Sequence, residues 1–205
     1  MWNDAVIEAV RRAPGPSLDL TDFGVGVCPL AAPAQRKDTI GRLLRSFKYL
    51  PLPERQARAD AIVALTGAPR RTDLMMTSDQ VRDLARAGMG IGGHTMTHPI
   101  LATLEPTVAM REIAGGREFL EGLLRQPVRL FAYPNGKPDT DYGGAHVTMV
   151  KQLGFVAAVS TSSGVSRSGD SAFELPRFTP WGGTRLRWGV RLAKNLRASP
   201  TRAAP

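Results

Sequence analysis

Cysteine occurs once, at Cys28, so no intrachain disulfide can form and no redox compartment can be read from the thiols. Long apolar runs are missing too: nothing approaches the roughly 18 consecutive apolar residues of a helical membrane span. The opening residues, Met1-Trp2-Asn3-Asp4, lack the basic region and apolar core of a signal peptide, so the chain as it stands is expected to be cytoplasmic. Acidic residues are in deficit, 18 Asp and Glu against 27 Lys and Arg, a formal charge of +9. Such a balance suits nucleic acid, an anionic membrane or an acidic polysaccharide. The arginines, however, are scattered among predicted helices and gathered at the C-terminus without a nucleic-acid module, which favours a solvated basic surface and no nucleic-acid partner. With 42% hydrophobic and 22% charged residues over 205 positions, the chain has the composition of one soluble globular domain.

Histidine is also scarce, and that scarcity makes its placement informative. Two of the three histidines fall in one run, Gly92-Gly93-His94-Thr95-Met96-Thr97-His98-Pro99. On a helix this spacing would put both imidazoles on one face. Gly92, Gly93 and Pro99 argue against a helix, since proline biases the residue before it away from the α region. Met89 to Gly93 reads instead as a short strand delivering both histidines to a loop at its C-terminal end, where active sites of parallel α/β proteins collect. Thr95 and Thr97 are placed to orient the rings or to meet a bound anion. The spacing by itself reads equally well as a metal site or as a polar loop.

The rest of the chain alternates helix and strand. Asp4 caps a predicted helix to about Arg12, Leu18 to Val27 reads as a short strand or hairpin, and Ala31 to Ala34 as a linker. Helices are predicted from Asp38 to Leu50 and from Pro53 to Gly67. Thr77 and Gln80 have capping-box spacing, and Met76 and Val81 that of a hydrophobic staple, for a helix with Val81, Leu84 and Ala85 facing the core and Gly88 as its stop. A helix from Glu105-Pro106 carries an apolar stripe of Val108, Ile113, Phe119, Leu120 and Leu123, with Gly115-Gly116 as a kink or break. A strand over Val128 to Ala132, a helix over His146 to Leu153 and strands over Phe155 to Ser160 and Phe173 to Phe178 complete the β, α, β alternation of a parallel sheet. Beyond Trp181 the segment is basic and, as a helix, weakly amphipathic; it reads as a frayed tail. The organisation expected is residues 1–74 as a helical and hairpin segment, 75–181 as the core and 182–205 as the tail.

His94-Thr95-Met96-Thr97-His98-Pro99 resembles the H-[ST]-x-[ST]-H-P motif of the polysaccharide deacetylase family, the NodB-homology domain or carbohydrate esterase family four. Downstream, Phe131-Ala132-Tyr133-Pro134-Asn135-Gly136 is similar to that family's third motif, an F-R-P-P-Y-G-like strand end. The resemblance implies a distorted (β/α) barrel with its site at the strand C-termini, and a hydrolase that removes N- or O-acetyl groups from a polysaccharide or oligosaccharide. It implies a divalent metal, most simply Zn²⁺, with His94 and His98 as the two histidine ligands. It also implies catalytic roles for Asn135 and Tyr133, with backbone N–H groups of the Asn135-Gly136 turn facing the oxyanion. Arg177 would stabilise that charge or bind a substrate anion, and Thr95, Thr97, Pro134 and Asp141 would line the substrate.

The sequence departs from the family pattern in three places. No T-F-D-D-like first motif is found, Thr21-Asp22-Phe23 being the nearest string. The expectation is therefore an α/β barrel incomplete at its N-terminus, lacking the metal aspartate and the general base, with self-association through unpaired barrel edges. Ala132 stands where the third motif often has arginine, and Leu175-Pro176-Arg177 replaces the usual Leu-x-x-His. The alternative function left open is a non-catalytic carbohydrate-binding or partner-binding pseudoenzyme. His146, at a helix start, reads as structural.

Overall fold

Helix α1 spans Trp2–Arg12, and Asp4 lies inside it, paired at 3.0 Å with the Met1 ammonium group instead of capping from outside. The computed structural model describes residues 1–69, 71, 73–178 and 184–204. They divide into two units, Met1–Thr77 and Ser78–Pro205. The expected boundary at Trp181 lies outside the described residues.

In the first unit the hairpin is present: β1 (Ser17–Leu20) pairs antiparallel with β2 (Gly26–Pro29) around a 3₁₀ turn at Thr21–Phe23. Helix α2 spans Pro33–Phe47, so the expected linker is in fact the helix start. The reason is local: proline suits the first helical position, and the Gln35 side chain accepts the Ala32 N–H at 2.8 Å. Helix α3 (Leu52–Thr66) ends at Gly67 with φ +61°. Val6, Val10, Leu20, Leu30, Leu43, Phe47 and Ile62 form the core. Arg36 of α2 donates to the Val10 carbonyl at 2.7 Å and the Ala13 carbonyl at 3.0 Å, a cation placed on the unsatisfied end of α1.

In the second unit α4 spans Ser78–Arg86, α5 Pro106–Leu124, β3 Leu130–Ala132, α6 Gly144–Gln152, β4 Ala157–Val159 and α7 Arg185–Arg197. Strands β3 and β4 pair in parallel, Phe131 opposite Ala158. Parallel bridges extend the sheet on both sides, from Gly93 to Phe131 and from Val159 to Leu175. The order Gly93, β3, β4, Leu175 makes a mixed α/β fold with a parallel sheet; among the described residues the sheet does not close into a barrel. Phe131, Tyr133, Tyr142, Ile113, Val150 and Phe155 fill the core on one face.

Four expectations need correction here. The strand predicted over Met89 to Gly93 contracts to a bridge at Gly93, because the glycines around it offer no side chains to a neighbouring strand. Helix α4 buries nothing: Leu84 is exposed, and Val81 and Ala85 are half-buried. Helix α5 runs unbroken through Gly115-Gly116, and its buried residues are Ala109, Ile113 and Gly116, with Phe119 exposed. The basic tail contains a regular helix, α7, anchored by buried Asn195.

Phe47 is fully buried, with Trp2 and Phe23 rings at 6.5 Å and 6.2 Å and the Arg58 guanidinium 6.0 Å above it. Truncation to alanine leaves a cavity that these neighbours cannot fill together. Phe47→Ala is expected to destabilise the first unit by about 3 to 5 kcal/mol, measured by urea unfolding.

Candidate metal and substrate site

The parallel order places four segment ends on one edge of the sheet. After Gly93 comes the histidine loop, after β3 the Tyr133-Pro134-Asn135-Gly136 turn, after β4 Ser160 to Ser162, and after Leu175 the Pro176-Arg177 pair. Hydrogen bonds lace these ends to one another. The His94 imidazole bonds to the Ala132 carbonyl, Thr161 donates through its N–H to Gly136 and through its hydroxyl to Asn135, and the Arg177 N–H donates to Ser162 at 3.0 Å.

Gly93 holds the first of them in place. Its N–H donates to Leu130 at 2.8 Å and its carbonyl accepts from Ala132 at 2.9 Å. A Cβ here would come within 3.2 Å of the Phe155 ring and 3.3 Å of Phe131, so the segment packs this closely only as glycine.

His94 Nδ1 lies 2.6 Å from the Ala132 carbonyl oxygen. A carbonyl only accepts, so Nδ1 carries the proton and Nε2 keeps its lone pair. The ring of His98 meets that of His94 edge to face, centroids 4.7 Å apart and planes at 75°. His94 is exposed and His98 half-buried. Two imidazoles this close, one with its tautomer set from behind by a backbone carbonyl, suit two ligands of one cation.

The loop between them is held in an uncommon conformation. Thr95 and His98 have φ of +63° and +57°, a region costly for side chains of L configuration. Glu112 of α5 compensates: its carboxylate accepts the Met96 N–H at 3.0 Å, the Thr97 N–H at 2.9 Å and the Thr97 hydroxyl at 2.8 Å. The Thr95 hydroxyl donates to the His94 carbonyl and accepts the His98 N–H at 3.1 Å. Both threonine side chains thus fold the loop.

Gly116 explains how α5 comes so near. A Cβ on it would lie 2.9 Å from the Thr95 carbonyl carbon and oxygen, and one on Gly115 would be 3.2 Å from the Met96 side chain. The glycine pair is a site of close approach rather than of bending.

The downstream turn is tight. Asn135 and Gly136 have φ of +58° and +71°, and the Gly136 N–H is already taken by the Pro134 carbonyl at 2.6 Å. That removes Gly136 as an oxyanion donor and leaves the Asn135 N–H as the turn's candidate. Tyr133 is buried, stacked on Tyr142 at 3.8 Å, with its hydroxyl donating to the Phe173 carbonyl at 3.0 Å; burial pushes its phenol well above the ordinary range. Pro134 and Asp141 are buried as well, and the Asp141 carboxylate accepts the Lys137 N–H at 3.0 Å. Arg177 is exposed at the edge. Among the described residues no group of three or more His, Cys, Asp or Glu side chains is arranged to hold a cation.

Sequence reasoning missed Glu112, Gly116 and the Ala132 carbonyl. Only the glycine pair inside an apolar-periodic helix signalled any of them. His146 is structural in the geometry: its Nδ1 accepts the Gly143 N–H at 3.0 Å at the start of α6.

The family model for polysaccharide deacetylase matches residues 55–158, half of the chain, and the chain belongs to the polysaccharide deacetylase family. The match begins upstream of the two motifs, inside α3. A Bacillus subtilis protein bearing the name of a polysaccharide deacetylase, YxkH, is 24% identical over 102 residues, which cover 50% of this chain and 35% of that protein. The chain therefore spans about a third of the length of that curated relative. Among solved structures, the Streptococcus pyogenes deacetylase PplD in complex with acetate gives a TM-score of 0.48 at 24% identity, covering 52% of this chain and 45% of that one. IcaB from Ammonifex degensii gives 0.47 at 20% identity, covering 60% and 54%.

Two outcomes are expected. Glu112→Ala removes three charge-assisted hydrogen bonds, so amide exchange at Met96 and Thr97 rises by roughly tenfold or more while the β3 and β4 amides keep their protection. The second concerns His146, which burial holds below its ordinary value of 6.5, the Leu101 carbonyl opposing. A lowered imidazole contributes stability that is present above that ordinary value and lost as pH falls through the lowered one. Wild type should therefore lose melting temperature on acidification from pH 7 more steeply than His146→Gln, whose amide oxygen can still accept the Gly143 N–H.

Proposed function

We propose that this chain carries the metal-binding and substrate-facing edge of a metal-dependent deacetylase acting on N- or O-acetyl groups of a polysaccharide or oligosaccharide. The observation that carries the reading is the His94 and His98 pair, edge to face at the C-terminal end of a parallel sheet, within a segment that belongs to the polysaccharide deacetylase family. A divalent cation, Zn²⁺ in the simplest case, would be held by His94 Nε2 and by the His98 imidazole, and when bound it supplies a Lewis acid toward the acetyl carbonyl and an acidified water.

The chain's own residues do the rest. Ala132 fixes the His94 tautomer through its carbonyl, and Glu112, Thr95 and Thr97 hold the loop that sets the two rings. The Asn135 N–H faces the developing oxyanion, and the exposed Arg177 guanidinium binds an anionic or hydroxyl-bearing part of the sugar. Tyr133, Pro134 and Asp141 serve from inside the core by fixing the turn. One carboxylate to complete the ligand set and a second to act as general base are required in addition to this pair, so acetate release from an N-acetylglucosamine oligomer by the 205-residue chain is expected to be very slow.

Zinc titration followed by calorimetry tests the reading. Wild type should bind one ion, and His94→Ala and His98→Ala should each weaken binding by roughly tenfold or more. Indistinguishable isotherms would remove the histidine loop as a metal site. Glycan binding that survives both substitutions and a chelator would replace the hydrolase with a non-catalytic carbohydrate-binding module.

A further inference from the structure

Helix α7 leaves most of its apolar residues exposed, with Leu192 half-buried. Of its 13 residues only Asn195 is buried, while Leu186 is 78% exposed, Leu196 57%, Val190 47% and Trp188 43%. Leu186, Gly189, Val190, Ala193 and Leu196 recur at three- and four-residue spacing and so share one face of the helix. Arg187, Arg191 and Lys194 follow the same rhythm on the next face, with Arg185 and Arg197 at the two ends and no acidic residue anywhere in the helix. Among the described residues none of these five cations has an ion-pair partner, whereas Arg202, just beyond the helix, is paired with Asp170.

This helix is presented rather than frayed. Asn195 bonds Gly164 in both directions, Oδ1 accepting its N–H at 2.7 Å and Nδ2 donating to its carbonyl at 3.0 Å. The chain that follows is tied down as well: Ser162 donates to the Thr201 carbonyl at 2.7 Å, Ala203 to Glu174 at 2.8 Å and Ala204 to Asp139 at 2.7 Å. These bonds hold one flank of α7 to the second unit and leave the apolar and basic faces outward.

We propose that α7 is an interfacial helix that seats this chain on an anionic lipid surface. The charge complementarity selects the occupant: five cations without an ion-pair partner among the described residues, beside an exposed face of Leu186, Val190 and Leu196, match a surface that is anionic at the headgroups and apolar just beneath. A nucleic acid would satisfy the cations and leave Leu186, Val190 and Leu196 in water. No helix among the described residues is long and apolar enough to cross a membrane, so the attachment lies in the interface plane and does not span. It rests on none of the observations behind the deacetylase reading.

Co-sedimentation of the full chain with lipid vesicles is the test. Wild type should partition onto vesicles of equal parts phosphatidylglycerol and phosphatidylcholine and remain free with phosphatidylcholine alone. Combining Arg187→Gln, Arg191→Gln and Lys194→Gln should weaken partitioning by roughly a hundredfold. Combining Leu186→Ser, Val190→Ser and Leu196→Ser should abolish it, with the thermal melt of both variants matching wild type because the substituted side chains are exposed. Failure of wild type to sediment with the anionic vesicles overturns the proposal. So does undiminished binding by the serine variant, which would mean adsorption by charge alone. Duplex DNA binding that survives the serine substitutions, with no vesicle binding, would assign the helix to nucleic acid instead.

Discussion

The two hydrogen bonds that Gly93 makes with β3 are the constraint on which the site depends. They fix the register in which the histidine loop leaves the sheet, and with it the distance from His94 to the Ala132 carbonyl. A slip of one residue would turn His94 to the opposite face, because side chains in a strand alternate. The ladder is too short to resist such a slip in both directions through its own bonds. The rings of Phe131 and Phe155 resist it in one direction: a Cβ at the Gly93 position would lie 3.2 Å and 3.3 Å from them, so a slip that brought His94 there would force them apart, whereas Gly92 has no Cβ for them to exclude. Packing against a missing Cβ thus bars the slip toward His94, and the two Gly93 hydrogen bonds hold the other direction.

From that register follows a division of labour among the loop residues. A turn with two non-glycine residues in the left-handed region would relax if left to itself. Its hydroxyls and N–H groups are therefore used to hold it, three of them by Glu112, and the imidazoles remain for chemistry. The threonines of the H-T-x-T-H run belong to the scaffold in this geometry, and the tautomer is set by a backbone carbonyl. Ala132 keeps that carbonyl whatever its side chain, so losing an arginine there leaves the orientation of His94 untouched.

Much of this was legible in the sequence. The hairpin, the helix opening at Pro106, the end of β3 and the placement of both histidines at the C-terminal edge of a parallel sheet follow from turn residues, proline position and apolar period, although the strand expected before them is a single bridge at Gly93. What was not legible depends on contacts between distant positions. Glu112 lies in the middle of α5 and nothing in its own neighbourhood marks it as a partner of Met96 and Thr97. The glycine pair beside it was visible but has two readings, a kink or a close approach, and only the tertiary position of Thr95 decides between them. The exposed flank of α4 was misread for a related reason: periodicity shows that a helix has an apolar face and says nothing about whether a partner covers it.

Helix α7 makes the same point from the other side. Its apolar residues have the spacing of a core-facing stripe, yet the one residue that seats the helix is polar, Asn195, through a reciprocal pair of bonds to the Gly164 backbone. A reciprocal amide pair fixes both position and rotation of a helix about its axis, which an apolar contact does not. Gly164 is suited to accept it: a Cβ there would lie 2.8 Å from the Pro200 nitrogen, so the loop can reach the end of α7 only without one. Polar fixation on one flank is what keeps Leu186, Val190 and Leu196 outward, and an arrangement that orders a helix while withholding its apolar face from the core is the physical ground for reading that face as a surface for something else.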